Sequence, residues 1–130
     1  MSRYTFSVDT KGRFDDVVAR TTEALKAEGF GVLTTIDVAA TLKMKLGIEK
    51  KPYVILGACN PQYAHKALEA EPDIGALLPC NVVVREEADG RVNVAFMDPA
   101  AVLGIVDRPE VTVLGGEVRA KLQRVAKALQ

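Results

Sequence analysis

Residues 80–96 read CNVVVREEADGRVNVAF, two β-branched runs on either side of an Asp89-Gly90 pair. Asp-Gly between apolar runs is a hairpin signal, because glycine accepts the positive φ that a tight turn demands. Cys80–Arg85 is therefore predicted as one strand and Arg91–Phe96 as its antiparallel return. Val82, Val83 and Val84 in succession predict burial of the first strand on both faces.

Around this hairpin the chain alternates strands and helices. Arg3–Val8 places Tyr4, Phe6 and Val8 on one face and polar residues on the other, the pattern of a half-buried strand. Phe14, Val17, Val18, Thr21 and Leu25 follow the helical period, with Asp15 and Asp16 in the first turn, where the dipole favours acids, and Gly29 as terminator. Phe30–Ile36 is a second strand, and Asp37 caps a short helix to Leu46 that Gly47 ends. Pro52–Leu56 is a third strand. Asn60-Pro61 supplies an N-cap and a first-turn proline for a helix to about Ala70, stopped by Glu71-Pro72. Asp98-Pro99 repeats that signature for a short helix to Leu103, and Val118, Leu122, Val125 and Leu129 stripe a final helix. The order βαβ(α)βαββ(α)α predicts a single domain over residues 1–130. Its fold class is α/β (α+β), a two-layer sandwich with a mixed β-sheet and helices packed on one face.

Composition removes several functions. The 130 residues are 48% hydrophobic and 26% charged, the balance of a soluble globular domain. Lys plus Arg number 17 and Asp plus Glu 17, which leaves no electrostatic case for nucleic acid or an acidic membrane. Lys43, Lys45, Lys50 and Lys51 have only Tyr53 nearby as an aromatic, so they read as a solvated face. No apolar run is long enough to span a bilayer, and the Met1–Thr10 start alternates rather than resembling a signal peptide, so a cytoplasmic location is expected. With Ser2 and Ser7 as the only serines and His65 as the only histidine, a Ser-His-Asp hydrolase is improbable.

The residues with chemical reach cluster at Gly57, Ala58, Cys59, Asn60, Pro61, His65, Pro79, Cys80 and Asn81. Cys59 precedes a helix N-terminus, whose unpaired N–H groups and dipole lower a thiol's pKa. His65 lies one turn into that helix, and helical side chains lean toward the N-terminus. Cys59 with His65 is thus the candidate catalytic pair. Gly57, Ala58, Cys59, Asn60, Cys80 and Asn81 are the candidate ligand-binding set, with Gly57–Asn60 as a pocket floor offering backbone donors to a small-molecule or anionic ligand. Cys59, His65 and Cys80 are soft enough to hold Zn²⁺ or Cu⁺, but a C-x5-H-x14-C spacing matches no standard zinc module, so no metal is assigned. Opposing all of these is inert packing, the usual state of free cysteine. Whether the two cysteines meet depends on strand direction: they approach if Cys80's strand runs antiparallel to Pro52–Leu56, and lie at opposite ends if it runs parallel.

GFGVLTTIDV (Gly29–Val38), TLKMKLGI (Thr41–Ile48), YVILGACNP (Tyr53–Pro61) and EPDIGALLPCNVVV (Glu71–Val84) follow one another in order. Together they resemble the domain-of-unknown-function family numbered 302. The resemblance implies a compact two-layer α/β domain, commonly a homodimer, with no established activity or cofactor. The chain departs from the pattern at Thr35, where an acidic residue is common. It departs again at Thr112–Gly116, which is rich in glycine and β-branched residues and shifts the expected start of the last helix to near Gly115. A sheet border that needs covering also favours a homodimer. Three readings follow: a small cytoplasmic homodimeric binding or sensing module, a thiol-dependent enzyme or redox protein using Cys59 with His65, and a structural or assembly protein with buried inert cysteines.

Overall fold

The turn at Asp89-Gly90 closes as its sequence predicts. In the computed structural model, which describes residues 2–130, Gly90 has φ +88° and donates its N–H to the Glu87 carbonyl at 3.0 Å. The Asp89 carboxylate accepts from the Arg91 N–H at 3.1 Å. Met1, the first residue of the Met1–Thr10 start, lies outside the described residues. The elements are β1 (Thr5–Thr10), α1 (Phe14–Ala27), β2 (Gly31–Asp37), α2 (Val38–Leu46), β3 (Tyr53–Cys59) and α3 (Pro61–Ala70). A 3-10 helix (Pro72–Leu77) follows, then β4 (Cys80–Glu86), β5 (Val92–Met97), α4 (Pro99–Leu103) and α5 (Pro109–Ala128).

Among the described residues the strands form one sheet in the order β1-β5-β4-β3-β2. Every neighbouring pair is antiparallel. The α/β class and the two layers agree with the sequence, but the sheet is not mixed. Helices alternating with a hairpin point to a mixed sheet, and β1 and β2, with a helix between them, are the strands a parallel pair would use. These strands do run in the same direction, yet they lie at opposite borders with three strands between them, so no parallel ladder forms. The β3–α3–β4 connection likewise joins antiparallel neighbours: α3 and the 3-10 helix are an excursion from one end of the sheet that returns to the same end.

One face carries the main core. Val54, Leu56 and Ala58 of β3, Val82 and Val84 of β4, and Val92, Val94 and Phe96 of β5 are buried there, against Val17 and Leu25 of α1 and Val118, Leu122 and Val125 of α5. Phe6 stacks on Phe96 with ring centroids 5.3 Å apart. The other face holds Ile55, Val83 and Ala95, which are only half-buried. The valine triplet is therefore covered on one side only: Val82 and Val84 face the helices, and Val83 faces outward.

The last helix begins at Pro109, a full turn and more before Gly115. A proline at the first helical position fits its fixed φ and missing N–H. Val111 and Leu114 then extend the apolar stripe into a second, smaller cluster with Ala67, Ile74 and Leu103. Gly115 lies against α4, where a Cβ would come within 2.9 Å of the Pro99 carbonyl oxygen, while Gly116 faces open space; both are helical within α5.

Asp98 ties this layer together. Its Oδ1 accepts from the Ala100 and Ala101 N–H groups at 3.0 and 3.4 Å, capping α4, and its Oδ2 accepts from Arg119 Nε of α5 at 3.0 Å. Asp98→Ala is expected to cost about 1–2 kcal/mol in urea unfolding, the upper range for a lost cap, since two orphan donors lose their acceptor together. Asp98→Asn, which keeps an acceptor oxygen, is expected to recover about half. Equal losses for both variants would assign the effect to the Arg119 ion pair instead.

Candidate functional site

Antiparallel pairing of β3 with β4 puts Ala58 opposite Cys80, so Cys59 and Cys80 meet at the same end of the sheet. Alternation gives Cys80 the core face along with Ala58, while Cys59, one residue further, ends its strand opposite Gly31. Both cysteines are free thiols.

Both line an apolar cavity of about 30 Å³ at this end of the sheet. Tyr63, Ala64 and Ala67 of α3, Leu114 and Val118 of α5, and Phe30 complete most of its wall. The exposed carbons of apolar side chains dominate that wall. A half-open space this size accepts one or two small groups rather than a whole metabolite.

Ala58, Cys59, Asn60 and Cys80 of the sequence-derived set line the cavity; Gly57, Asn81 and His65 do not. Gly57 pairs with Asn81, and its own missing Cβ is replaced by other groups of the chain: a Cβ there would lie 2.5 Å from Thr34 Cγ2 and 2.9 Å from Pro79 Cγ. Its smallness serves internal packing and not a pocket floor. His65 is exposed on α3, about a quarter-turn from Ala64, so it stands away from the cavity that Cys59 lines. Asn60 makes no side-chain cap to α3. Its amide instead lies over Gly29, where a Cβ would come within 3.0 Å of Nδ2.

The electrostatics run against an activated thiol. Burial raises the Cys59 pKa. Burial pushes Cys80 up to about 11, with the neighbouring Cys59 adding to the rise. Loss of water raises the Cys59 thiol, where the sequence predicted that the helix start would lower it. Outside the cavity, a shallow groove runs past Asn60, Pro61 and Gln62 to Glu28 and Lys121. A hydrogen bond from Arg124 holds the Glu28 carboxyl below its usual range, so a carboxylate already sits beside the α3 start. Among the described residues no three His, Cys, Asp or Glu side chains converge as a metal site would require.

Of the two α5 wall residues, Val118 lies in the stripe read from the sequence, and Leu114 escaped it because starting that helix at Gly115 left it outside. Tyr63, Ala64 and Ala67 follow one face of α3 at helical spacing; the sequence offers Tyr63 as a ring for stacking on a ligand or for partial core packing, and it lines the cavity while packing against the core.

A family model described as "Domain of unknown function DUF302" matches residues 6–129. A crystal structure of an uncharacterized conserved DUF302 protein from Bacillus stearothermophilus superposes with a TM-score of 0.91 at 29% identity, covering 99% of this chain and 100% of that one. An uncharacterized protein from Aquifex aeolicus (strain VF5) is 29% identical over 85 residues, which is 65% of this chain. The match spans about half (53%) of that relative's length.

Proposed function

Since the chain belongs to the DUF302 family, whose function is unknown, we propose its role from the cavity alone: a homodimeric module that binds a small uncharged group between α3, α5 and the end of the sheet. The observation that carries this reading is an apolar cavity beside Cys80 whose wall presents no charged side chain. Two features favour an uncharged ligand over an anion: the cavity wall is almost wholly apolar, and the Glu28 carboxylate shares the outer groove with Asn60, Pro61 and Gln62 at the start of α3. The raised thiol pKa values favour binding over thiol chemistry. A chain without net charge and without a described helix able to cross a membrane supports a cytoplasmic setting with neither nucleic acid nor membrane as partner.

Native mass spectrometry of freshly purified protein tests this. The expected species has twice the 14.0 kDa chain mass and carries a small noncovalent adduct, which Ala64→Leu removes by filling the cavity. Bare chains, or an adduct that survives Ala64→Leu, would overturn the ligand reading.

A further inference from the structure

The β2–α2 border is unlike the rest of the molecule. No residue of β2 or α2 is buried. Of the large hydrophobics that stand exposed among the described residues, Leu33, Ile36, Met44, Leu46 and Ile48 all fall within this one stretch, Met44 at 82% and Leu33 at 71% exposure. Scattered exposed apolar residues are ordinary, but a concentration along one strand and the helix after it marks a contact surface.

The strand itself has no basic or proline guard. β2 is a border of the sheet, pairing only with β3, and its sequence GVLTTID contains no Lys, Arg or Pro. Natural proteins usually protect such borders with those residues. The opposite border shows the protected form: β1 is flanked by Arg3 and Lys11, and its Asp9 is held by Arg91 at 2.7 Å. The register with β3 shifts between Val32 and Thr34, so Leu33 is an extra residue that bulges β2 itself; this bulge is the one guard the border carries, and it leaves Thr34–Asp37 as the regular stretch of outer edge.

We propose that a second copy of this chain covers this border, with β2 pairing antiparallel to its counterpart about a two-fold axis and the two α2 helices closing over the junction. The inference rests on the homodimeric part of the function proposed above and adds the surface that makes it. Electrostatics favour one direction for the pairing. Asp37 is the only charge in β2 and sits at its end. Antiparallel pairing separates the two Asp37 carboxylates by nearly the strand's length, about 20 Å, which is beyond the screening distance. Parallel pairing would bring them together. Nearby, Lys43 is paired with Glu49 and Lys51 with Glu86, which reduces the field available to recruit a charged partner.

The area also suits a second copy. Seven strand residues make an edge about 23 Å long, and a sheet layer with a helix beside it is about 20 Å deep. That is roughly 500 Å² in projection and more in accessible surface, against the ~600–800 Å² per partner of specific interfaces.

Light scattering and sedimentation over a micromolar concentration range test the proposal, using wild type, Met44→Glu, Leu33→Glu with Met44→Glu, and Ile105→Glu as an exposed control elsewhere. Circular dichroism confirms folding, and the 82% exposure of Met44 makes its single variant the safest. The expected result is a wild-type dimer, an Ile105→Glu dimer, and a dissociation constant raised at least about 100-fold in the Met44→Glu variants, equivalent to about 2.7 kcal/mol. Dimers that survive both Met44 variants would overturn this surface while leaving the homodimer standing. A monomeric wild type would remove the homodimer and the surface together, and loss of the dimer in Ile105→Glu would also overturn the assignment to β2 and α2.

Discussion

Gly57→Val is expected to destabilise the fold by about 3 kcal/mol, at the top of the usual overpacking range. Replacing a strand glycine normally gains a few tenths of a kcal/mol to about 1, because glycine loses the most freedom on folding. Here the sign reverses. A Cβ would come within 2.5 Å of Thr34 Cγ2 and 2.9 Å of Pro79 Cγ. Thr34 is exposed and has room to turn its methyl outward, but the Pro79 ring has no such rotation. Gly57→Ala is therefore expected to cost about 1–2 kcal/mol, and Thr34→Ser, which deletes the methyl, to recover part of that in the double variant. Urea unfolding of the four proteins measures the cycle. A Gly57→Ala protein more stable than wild type would refute the packing account.

The second large effect is alkaline. The unfolded chain's Cys80 thiol titrates near 8.5, whereas the folded protein holds that proton up to about pH 11. The folded state thus binds the proton more tightly, and its advantage is complete below about pH 8.5. As pH rises toward 11 the unfolded state gains a thiolate that the folded state resists, and stability falls by roughly 3 kcal/mol from this group. Lysine and tyrosine titrate in the same window, so the quantity to measure is the difference from Cys80→Ala. That variant is expected to be less stable than wild type at pH 7, from the lost packing, and to narrow the gap steadily above pH 9. Parallel stability curves for the two proteins would show that Cys80 does not carry the dependence.

Local chemistry made most of the elements legible. Asp37 and the Asn60-Pro61 and Asp98-Pro99 pairs located α2, α3 and α4; Pro61–Ala70 ends where Glu71-Pro72 predicts, and Pro99–Leu103 ends at the residue expected. What local chemistry could not convey was which strands are neighbours. The antiparallel order depends on β1 and β2 sitting at opposite borders, a choice made by the packing of α1 and α5 across the whole sheet. The last helix shows the reverse limit. Gly115 and Gly116 have low helix propensity, yet close contact with α4 makes a small residue necessary at Gly115, and tertiary contact prevails over propensity. For the site, the strand register brought Ala58, Cys59 and Cys80 together as the antiparallel alternative required. The helical phase then left His65 outside, a matter of about 100° per residue that spacing from Cys59 does not encode.

The placement of β1 also sets an order of events during synthesis. From β3 to β5 each strand pairs with the one made just before it, so those contacts can close as the chain emerges. β1 is made first but finds its partner last: Thr5 pairs with Met97 and Thr10 with Val92. At ribosomal rates of about 5–20 residues per second, the N-terminal strand waits roughly 4–20 s for β5. During that interval Phe6 lacks the Phe96 ring on which it stacks. A nascent chain paused before Val92 can therefore build only the β2–β3–β4 side of the sheet, and truncation there forfeits both the C-terminal helices and the place of the first strand.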